Sequence, residues 1–308
     1  MLTAPPLVAL DDAEVAERTA AHEERWERLV GPYAARRARG ERHPVHDFLF
    51  TYYAERPGRL RRWHPGYGVA LPAGVPHAGW RGYGAEPATG RVSVGEDFLA
   101  DRRVLVGTLR RLLRATERRP AHTGCFGLHE WAMVHGQADG DVRHALPLRL
   151  GAAGTDRVVE GHRIACSHFD AFRFFTDTAR PLNTLRPASG DRPDFEQPGC
   201  LHAGMDLYKH AYRLSPLVES GLVLDCFALA ADIRVLDMRA SPYDLTGVAD
   251  VDATPVPIET ADGKRAYAAA QAGFAERAAP LRARLAAECE QLLDLAPRGS
   301  STGAPGDR

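Results

Sequence analysis

The stretch that decides the fold lies between Gly127 and Pro216. It reads GLHEWAMVH at 127–135, IACSHFDAFRFF at 164–175, RPLNTL at 180–185 and QPGCLHAGMDLYKHAYRLSP at 197–216. Acidic and imidazole side chains stand here among large aromatic residues. Such groups need a partner, a shifted pKa or a ligand, because burying a lone charge costs several kcal/mol. We therefore predict that this stretch contains both core and site.

Apolar residues recurring at helical spacing predict a mostly α-helical core. The clearest case is 217–239, which places its large apolar residues on one face and its charges on the other. The core helices are predicted near 101–119, 126–135, 203–214 and 217–239, with a long C-terminal helix at 264–295 that Pro280 could interrupt.

Boundary signals divide the chain further. Asp11 followed by Glu14 is typical of a capping box and opens a helical segment at 10–40, which Gly31-Pro32 breaks. Residues 1–297 are predicted to form a single globular domain with its core at 43–295, and residues 298–308 have the composition of a disordered tail.

Strands are predicted next to the expected site. Residues 146–150 and 157–167 have the pattern of two strands joined by GAAGTD, and the Gly- and Pro-rich residues 65–95 favour an irregular flap or short strands. If the second strand continued to Asp170, the period of two would place His168 and Asp170 side by side. The predicted fold class is therefore α+β, a mostly α-helical domain with a small β-sheet or hairpin.

Composition limits the classes of function. The formal net charge is −1, from 39 basic and 40 acidic residues, so no strong overall field favours nucleic acid or an anionic membrane. The five cysteines are widely spaced and no run of 18 apolar residues occurs. We therefore expect no disulfide framework, no membrane span and a cytoplasmic location. The oligomeric state is left open.

Four pairs of imidazole and carboxylate recur in aromatic-rich segments. They are His46/Asp47, His129/Glu130, His168/Asp170 and His202/Asp206. Nitrogen and oxygen ligands suit Fe, Zn or Mn, and the candidate metal ligands are His46, His129, His168, His202 and Asp206. A metal-free enzyme is equally coherent, with one carboxylate acting as a base or stabilising a cation. A third interpretation is a non-catalytic protein whose aromatic pocket holds a ligand.

Long runs of the sequence resemble a bacterial family catalogued as 3-methyladenine DNA glycosylase. The similarity covers roughly residues 40–295, although no convincing helix-hairpin-helix is present. The runs are HPVHDFLFTYYAERPGRLRRWHPG, CFGLHEWAMVH, HFDAFRFFTDTARPLNTL, EQPGCLHAGMDLYKHAYRLSP and DMRASPYDL.

The resemblance implies hydrolysis of the N-glycosidic bond of an alkylated purine, with no cofactor, and DNA or a nucleobase-containing ligand as the partner. A glycosylase stacks the extracted base between aromatics while a carboxylate stabilises charge on the sugar. Asp170, among phenylalanines, is the expected catalytic carboxylate, followed by Glu130, with His168 beside them. The expected substrate-binding residues are Trp131, Phe172, Arg173, Asn183, Lys209 and Arg239, and arginines of residues 56–119 would contact phosphates.

Overall fold

The computed structural model describes residues 8–138 and 146–295. It is 55% helical with two small sheets, which confirms the predicted α+β class. The predicted tail at 298–308 lies outside the described residues. The helices are α1 (Asp12–Leu29), α2 (Gly31–Ala38), α3 (Phe48–Thr51), α4 (Pro57–Leu60), α5 (Glu96–Glu117), α6 (Leu128–Ala132), α7 (Gly151–Glu160), α8 (Phe169–Phe172), α9 (Arg192–Phe195), α10 (Leu201–Leu214), α11 (Ser220–Arg239) and α12 (Ala261–Leu295).

The core forms where α10 and α11 pack together and α5 and α12 close around them. The predicted apolar face of α11 is buried along its whole length, from Leu222 through Cys226 to Ile233. On α10, a side chain at Gly204 would meet Ile233 Cδ1 at 2.9 Å, so glycine permits the close approach of the two helices. Burial of this shared face positions every residue that α10 and α11 contribute to the site.

Helix α12 runs without interruption through Pro280, where the sequence indicates a break. It begins at Ala261, three residues before the predicted start, and packs against α5, α10 and α11. Tyr267, Leu285 and Cys289 on it are fully buried. Packing against three helices therefore holds the α12 backbone in one helix despite the missing N–H of the proline.

The N-terminal segment confirms the predicted cap and break. Asp11 and Glu14 form both hydrogen bonds of a capping box, and the chain turns at Val30 between α1 and α2. The segment is not only a solvated surface, however. Trp26 is buried and donates its indole N–H to the carbonyl of Pro57 at 3.0 Å, which fixes α1 to the core.

The strands predicted at 146–150 and 157–167 are wrong. Residues 151–160 form α7, whose buried residues Gly154, Thr155, Val158 and Val159 follow a helical rather than an alternating period. Thr155 donates its hydroxyl to the Gly151 carbonyl one turn earlier, which accommodates a β-branched side chain inside a helix. Among the described residues of this region, the β-structure is limited to two isolated bridges, from Leu148 to Tyr243 and from Ile164 to Asn183.

The small sheets lie instead in and beside the Gly- and Pro-rich region. Their strands are β1 (Val8–Ala9), β2 (Val69–Ala70), β3 (Tyr83–Ala85) and β4 (Val92–Val94). β1 and β2 pair in parallel, β3 and β4 pair antiparallel, and a bridge from Leu71 to Val92 links the two sheets. The short strands predicted for residues 65–95 are thus present, and β4 leads directly into α5.

All five cysteines are free thiols, and each is buried or half-buried. Burial raises the pKa of Cys166 and of Cys289 to about 12. Within the described residues, none of the helices combines the length and apolar character that a membrane span requires.

Candidate active site

A narrow cleft with aromatic walls opens between α3, α6, α8 and α10. Its lining includes Glu130, Asp170 and His202, three residues that the sequence predicts for the site. The free space inside it is about 10 Å³, which is room for about one water molecule. The complete lining is Phe48, Tyr52, Glu130, Met133, Asp170, Phe174 and His202.

Asp170 enters the cleft from the first turn of α8, which begins after His168. The predicted strand through Asp170 is wrong because the chain turns into this short helix, so Asp170 and His168 do not share a strand face. Lys209 Nζ lies 3.0 Å from Asp170 Oδ2, and Arg173 Nε lies 3.3 Å from Oδ1. Burial by itself would raise the pKa of Asp170, but the charge and hydrogen bond of Lys209 lower it overall. Asp170 is therefore ionised.

A second carboxylate lies behind Asp170 on α10. Asp206 Oδ2 accepts from Lys209 Nζ at 2.6 Å and from Arg192 Nη2 at 2.7 Å. Burial opposes ionisation, but the charge of Lys209 and the contact with His168 hold the pKa of Asp206 well below its usual range. Lys209 thus joins α10 to α8 through two carboxylates at once.

Sequence reasoning missed two members of this network. Arg192 and Glu196 lie in residues 186–199, whose composition indicates a loop, yet Arg192 begins the short helix α9 and pairs with Glu196 four residues later. Arg192 Nη1 also approaches Asp170 Oδ2 at 3.7 Å. The signal that could have found them is the i, i+4 spacing of opposite charges in RPDFE.

His168 lies behind the cleft and is not one of its lining residues. It is 1% exposed, and its Nε2 lies 3.3 Å from Asp206 Oδ2 and 3.5 Å from Glu196 Oε1. Its ring is 5.3 Å from the ring of His202. His168 therefore contacts Asp206 and Glu196 rather than the cleft itself, and its catalytic role stays a prediction.

A second buried network supports Glu130. Arg234 Nη1 on α11 donates to Glu130 Oε1 at 3.0 Å and to Asp237 Oδ2 at 2.7 Å. Asp237 Oδ1 lies 2.8 Å from His129 Nε2. The other oxygen of Glu130, Oε2, has no hydrogen-bond partner among the described residues although it is buried. Glu130 can therefore accept a hydrogen bond from a molecule in the cleft.

Sequence reasoning also missed Arg234 and Asp237. The sequence pattern directs attention to Asp225 and Asp232 as a solvated row on α11, and both are indeed surface ion-pair partners. Arg234 and Asp237 are fully buried. No local pattern separates this buried pair from a solvated one, because α11 also carries the acids Asp225 and Asp232, which are not buried.

His129, His202 and Asp237 form a group that could hold a metal ion. One ligand atom from each lies within 4.8 Å of the others. The group differs from the predicted metal set, because Asp237 takes the place of Asp206, and neither His46 nor His168 belongs to it. Burial lowers the pKa of His202 well below its usual value, so its ring is neutral and able to ligate.

The donor set fits a divalent cation only in part. Arg234 bonds the same Asp237 carboxylate, so a positive charge already neutralises that ligand. Burial opposes protonation of His129, but the charge and hydrogen bond of Asp237 raise its pKa overall, which favours a His129–Asp237 ion pair. Two neutral imidazoles and one free carboxylate would suit a metal better than this arrangement.

Several predicted site residues lie away from the cleft. His46 packs against Tyr33 and contacts Arg36 at 3.0 Å, and it is not part of the group of possible metal ligands. Arg239 binds the Thr254 carbonyl and pairs with Asp252. Each residue thus has partners in a neighbouring loop or helix, and neither lines the cleft.

Two more predicted substrate-binding residues are structural. Trp131 is fully buried and donates its indole N–H to the Ala240 carbonyl at 2.8 Å. Asn183 is also fully buried, and its amide bonds both backbone groups of Cys166. Neither side chain lines the cleft.

Phe172 and Arg173 stay close to the site. Phe172 lies on α8 and packs edge-on against Phe175 at 5.3 Å, without lining the cleft. Arg173 is half-exposed, pairs with Asp170 and lies 4.3 Å from the Phe174 ring. Of the six predicted substrate-binding residues, Arg173 and Lys209 are the two that contact Asp170.

Searches against protein-family models, curated proteins and solved structures find no match to this chain.

Proposed function

We propose that the protein hydrolyses the N-glycosidic bond of an alkylated purine, as a 3-methyladenine DNA glycosylase does. The observation that carries the proposal is the ionised carboxylate of Asp170 in a cleft walled by Phe48, Tyr52 and Phe174. Aromatic faces stack a purine, and a fixed negative charge stabilises the positive sugar that forms as the base leaves.

The chemistry assigns different tasks to the two carboxylates. As the bond from C1′ to the purine nitrogen breaks, its electron pair leaves with the cationic alkylated base, which departs neutral. Asp170 stabilises the positive charge on the sugar. Glu130 Oε2 accepts a hydrogen bond from the water that adds to C1′ and takes up its proton. No cofactor is required.

The small size of the cleft means that it must widen before a purine can bind. Its free space holds about one water, which is the nucleophile. A purine ring is larger, so it enters only when Tyr52 and Phe174 move apart. Both side chains are half-buried, and they lie just after α3 and α8 respectively. The substrate is DNA or another nucleobase-containing ligand, and the free thiols support a cytoplasmic location.

The direct test is release of 3-methyladenine from methylated DNA by the purified protein in the presence of a chelator. Chromatography of the released base measures the rate. We expect release that the chelator leaves unchanged. Absence of any released base from methylated DNA and from methylated nucleosides would refute the proposal.

A metal-dependent enzyme acting on a small molecule is the second candidate. The observation in its favour is the group of His129, His202 and Asp237. Its test is elemental analysis of tag-free protein for iron, zinc and manganese. One bound metal ion per chain, lost in His202→Ala together with the activity, would establish it over the first proposal. A non-catalytic ligand-binding role would be supported by purine binding that persists without any turnover.

A further inference from the structure

A second, larger hollow lies apart from the cleft and carries a strong positive charge. Its volume is about 320 Å³, within the range of small-molecule sites. We call it the arginine pocket, after the five arginines in its lining. They are Arg59, Arg62, Arg81, Arg102 and Arg213. They come from α4 and the turn after it, the Gly-rich flap, α5 and α10, so the fold gathers them from four separate segments.

The charge of the pocket is not balanced by the protein. Glu55 is the one carboxylate among its described lining residues. Burial lowers the pKa of His64, which also lines it, to about 3, so this ring adds no charge. Elsewhere in the chain, Arg149 pairs with Glu259 and Arg25 pairs with Asp225. In the pocket, Arg102 is half-buried and the other four arginines are exposed to solvent.

None of the five guanidinium groups forms an ion pair within the part of the chain that the structure describes. Guanidinium groups remain charged at all physiological pH values. The five positive charges around the pocket repel one another. An anion in the pocket would reduce this electrostatic repulsion. The arrangement is therefore typical of a site for a polyanionic group.

Aromatic rings hold two of the arginines in place. The guanidinium carbon of Arg62 lies 5.1 Å from the Trp80 ring centre, and that of Arg102 lies 5.1 Å from the Phe98 ring centre. A stacked guanidinium keeps its N–H donors at its edge, where they can form paired hydrogen bonds to a phosphate. Stacking also reduces the rotamer freedom that binding would otherwise remove.

We propose that the arginine pocket binds a phosphate group of a nucleotide or of a nucleic-acid backbone, with the aromatic rings of Trp80 and Phe98 beside it. Phosphate is the anion that several arginines recognise together, because its oxygens accept paired hydrogen bonds. A carboxylate ligand would satisfy one or two arginines rather than five.

The pocket adjoins the segments that build the cleft. Tyr52 lines the cleft and Glu55, three residues later, lines the pocket. On α10, Lys209 bonds Asp170, and Arg213, one turn later, lines the pocket. The binding site nevertheless stands without the proposed hydrolysis, because it rests on the charge and shape of the pocket.

Isothermal titration calorimetry of the full-length protein tests the proposal with three probes: sodium pyrophosphate, adenosine monophosphate and a short single-stranded DNA. We expect saturable binding of at least one, weakening as salt is added. Fluorescence gives a second readout, because Trp80 is half-exposed while Trp26, Trp63 and Trp131 are buried. Binding of pyrophosphate or the mononucleotide assigns a small ligand, and binding of the DNA alone assigns a nucleic-acid phosphate.

Matched variants test whether the ligand binds in the arginine pocket. Arg62→Gln combined with Arg213→Gln should weaken binding at least tenfold, since each charged hydrogen bond contributes about that factor. Arg61→Gln is the control, because Arg61 is adjacent in sequence but faces Glu23 at 3.4 Å. Glu55→Gln should tighten binding, because it removes the one acid in the lining.

Two results would overturn the proposal. One is the absence of saturable binding for all three probes. The other is equal affinity of the wild type and the double variant. If the double variant fails to fold, Arg81→Gln in the exposed flap replaces it, and unchanged affinity of that variant and of Glu55→Gln counts equally against the proposal.

Discussion

The ammonium group of Lys209 and the carboxylate of Asp170 lie 3.0 Å apart, across the contact between α10 and α8. Lys209 is one of two lysines in the chain, the other being Lys264. Its side chain is 14% exposed and also bonds Asp206. Lys209 therefore pairs with two carboxylates at once, helps to keep both ionised and holds the cleft residue in position.

Replacing Lys209 should destabilise the fold. In Lys209→Met the buried Asp206 loses one of its two cationic partners, and Asp170 loses its nearest one, so we expect a loss of about 3 kcal/mol in the free energy of unfolding. Urea denaturation measures it. The matched control is Lys264→Met, which removes the other lysine and should change stability by less than about 0.5 kcal/mol. Equal losses would show that the network around Lys209 contributes little.

Replacing Asp170 should remove activity without unfolding the protein. Asp170→Asn keeps the shape of the side chain but loses the negative charge, so base release should fall by about a hundredfold or more. The rate of 3-methyladenine release and the melting temperature are measured together. Asp177→Asn, at an exposed position seven residues later, is the control. An Asp170→Asn enzyme with full activity would remove Asp170 from the proposed mechanism.

The aromatic wall should contribute to substrate binding. In Phe174→Ala a stacking surface disappears, and kcat/KM should fall by about tenfold, since stacking a base contributes roughly 1–3 kcal/mol. Phe274→Ala, on the half-buried face of α12, is the matched control. If the two variants lose activity equally, the effect reflects packing and not contact with the substrate.

Buried histidines should make stability depend on pH near neutrality. Burial lowers the pKa of His46 to about 4 and of His64 to about 3, and lowers that of His210 well below its usual value. In the unfolded chain histidine titrates near pH 6.5. Below that pH these histidines are protonated in the unfolded state but stay neutral in the folded state. The free energy of unfolding should therefore fall as pH decreases. His129, with a raised pKa, acts in the opposite direction but is outnumbered.

Urea denaturation at pH 7.5, 6.5 and 5.5 measures this dependence. His46→Gln cannot titrate, so its stability should fall less steeply with decreasing pH than that of the wild type. The difference approaches about 1.4 kcal/mol per pH unit for one fully buried group. Parallel curves for the two proteins would contradict the assignment.

Arg234 should be essential for stability. In Arg234→Met the carboxylates of Glu130 and Asp237 stay buried without their common cation, so we expect a loss of about 3–5 kcal/mol. The control, Arg277→Met, breaks a half-exposed pair with Asp232 and should cost less than about 1 kcal/mol. Chemical denaturation measures both variants, and a similar small loss in each would contradict a structural role for the buried triad.

The helical core was predictable because its signal is periodic. The buried face of α11, from Leu222 to Ile233, repeats at the spacing of a helix and needs no knowledge of its neighbours. The strand prediction over 157–167 failed because Val158 and Val159 favour strands locally, whereas the packing of α7 decided the outcome. Tertiary contacts, which the sequence does not display, overrode propensity there.

The part of the candidate site that could be predicted consists of polar residues in aromatic stretches of the sequence. Glu130, Asp170 and His202 attract attention as polar groups in aromatic surroundings, and the structure brings them to one cleft. The sequence did not predict Arg234 and Asp237 as site residues, because a charged side chain on a helix is most often exposed to solvent. Their burial depends on which face of α11 meets α6, and that orientation follows only from the packing of the whole chain.

The buried thiols of Cys166, Cys226 and Cys289 have a practical consequence. A thiolate, and not a thiol, reacts with disulfide reagents or iodoacetamide, and burial keeps these groups protonated and out of reach. Labelling of these thiols therefore requires local unfolding of the surrounding structure. Cys166 sits two residues before His168, Cys226 lies on α11 and Cys289 on α12. The order in which these cysteines are labelled under mild denaturant would show whether the site or the core unfolds first. The native thiols can therefore serve as probes of local unfolding.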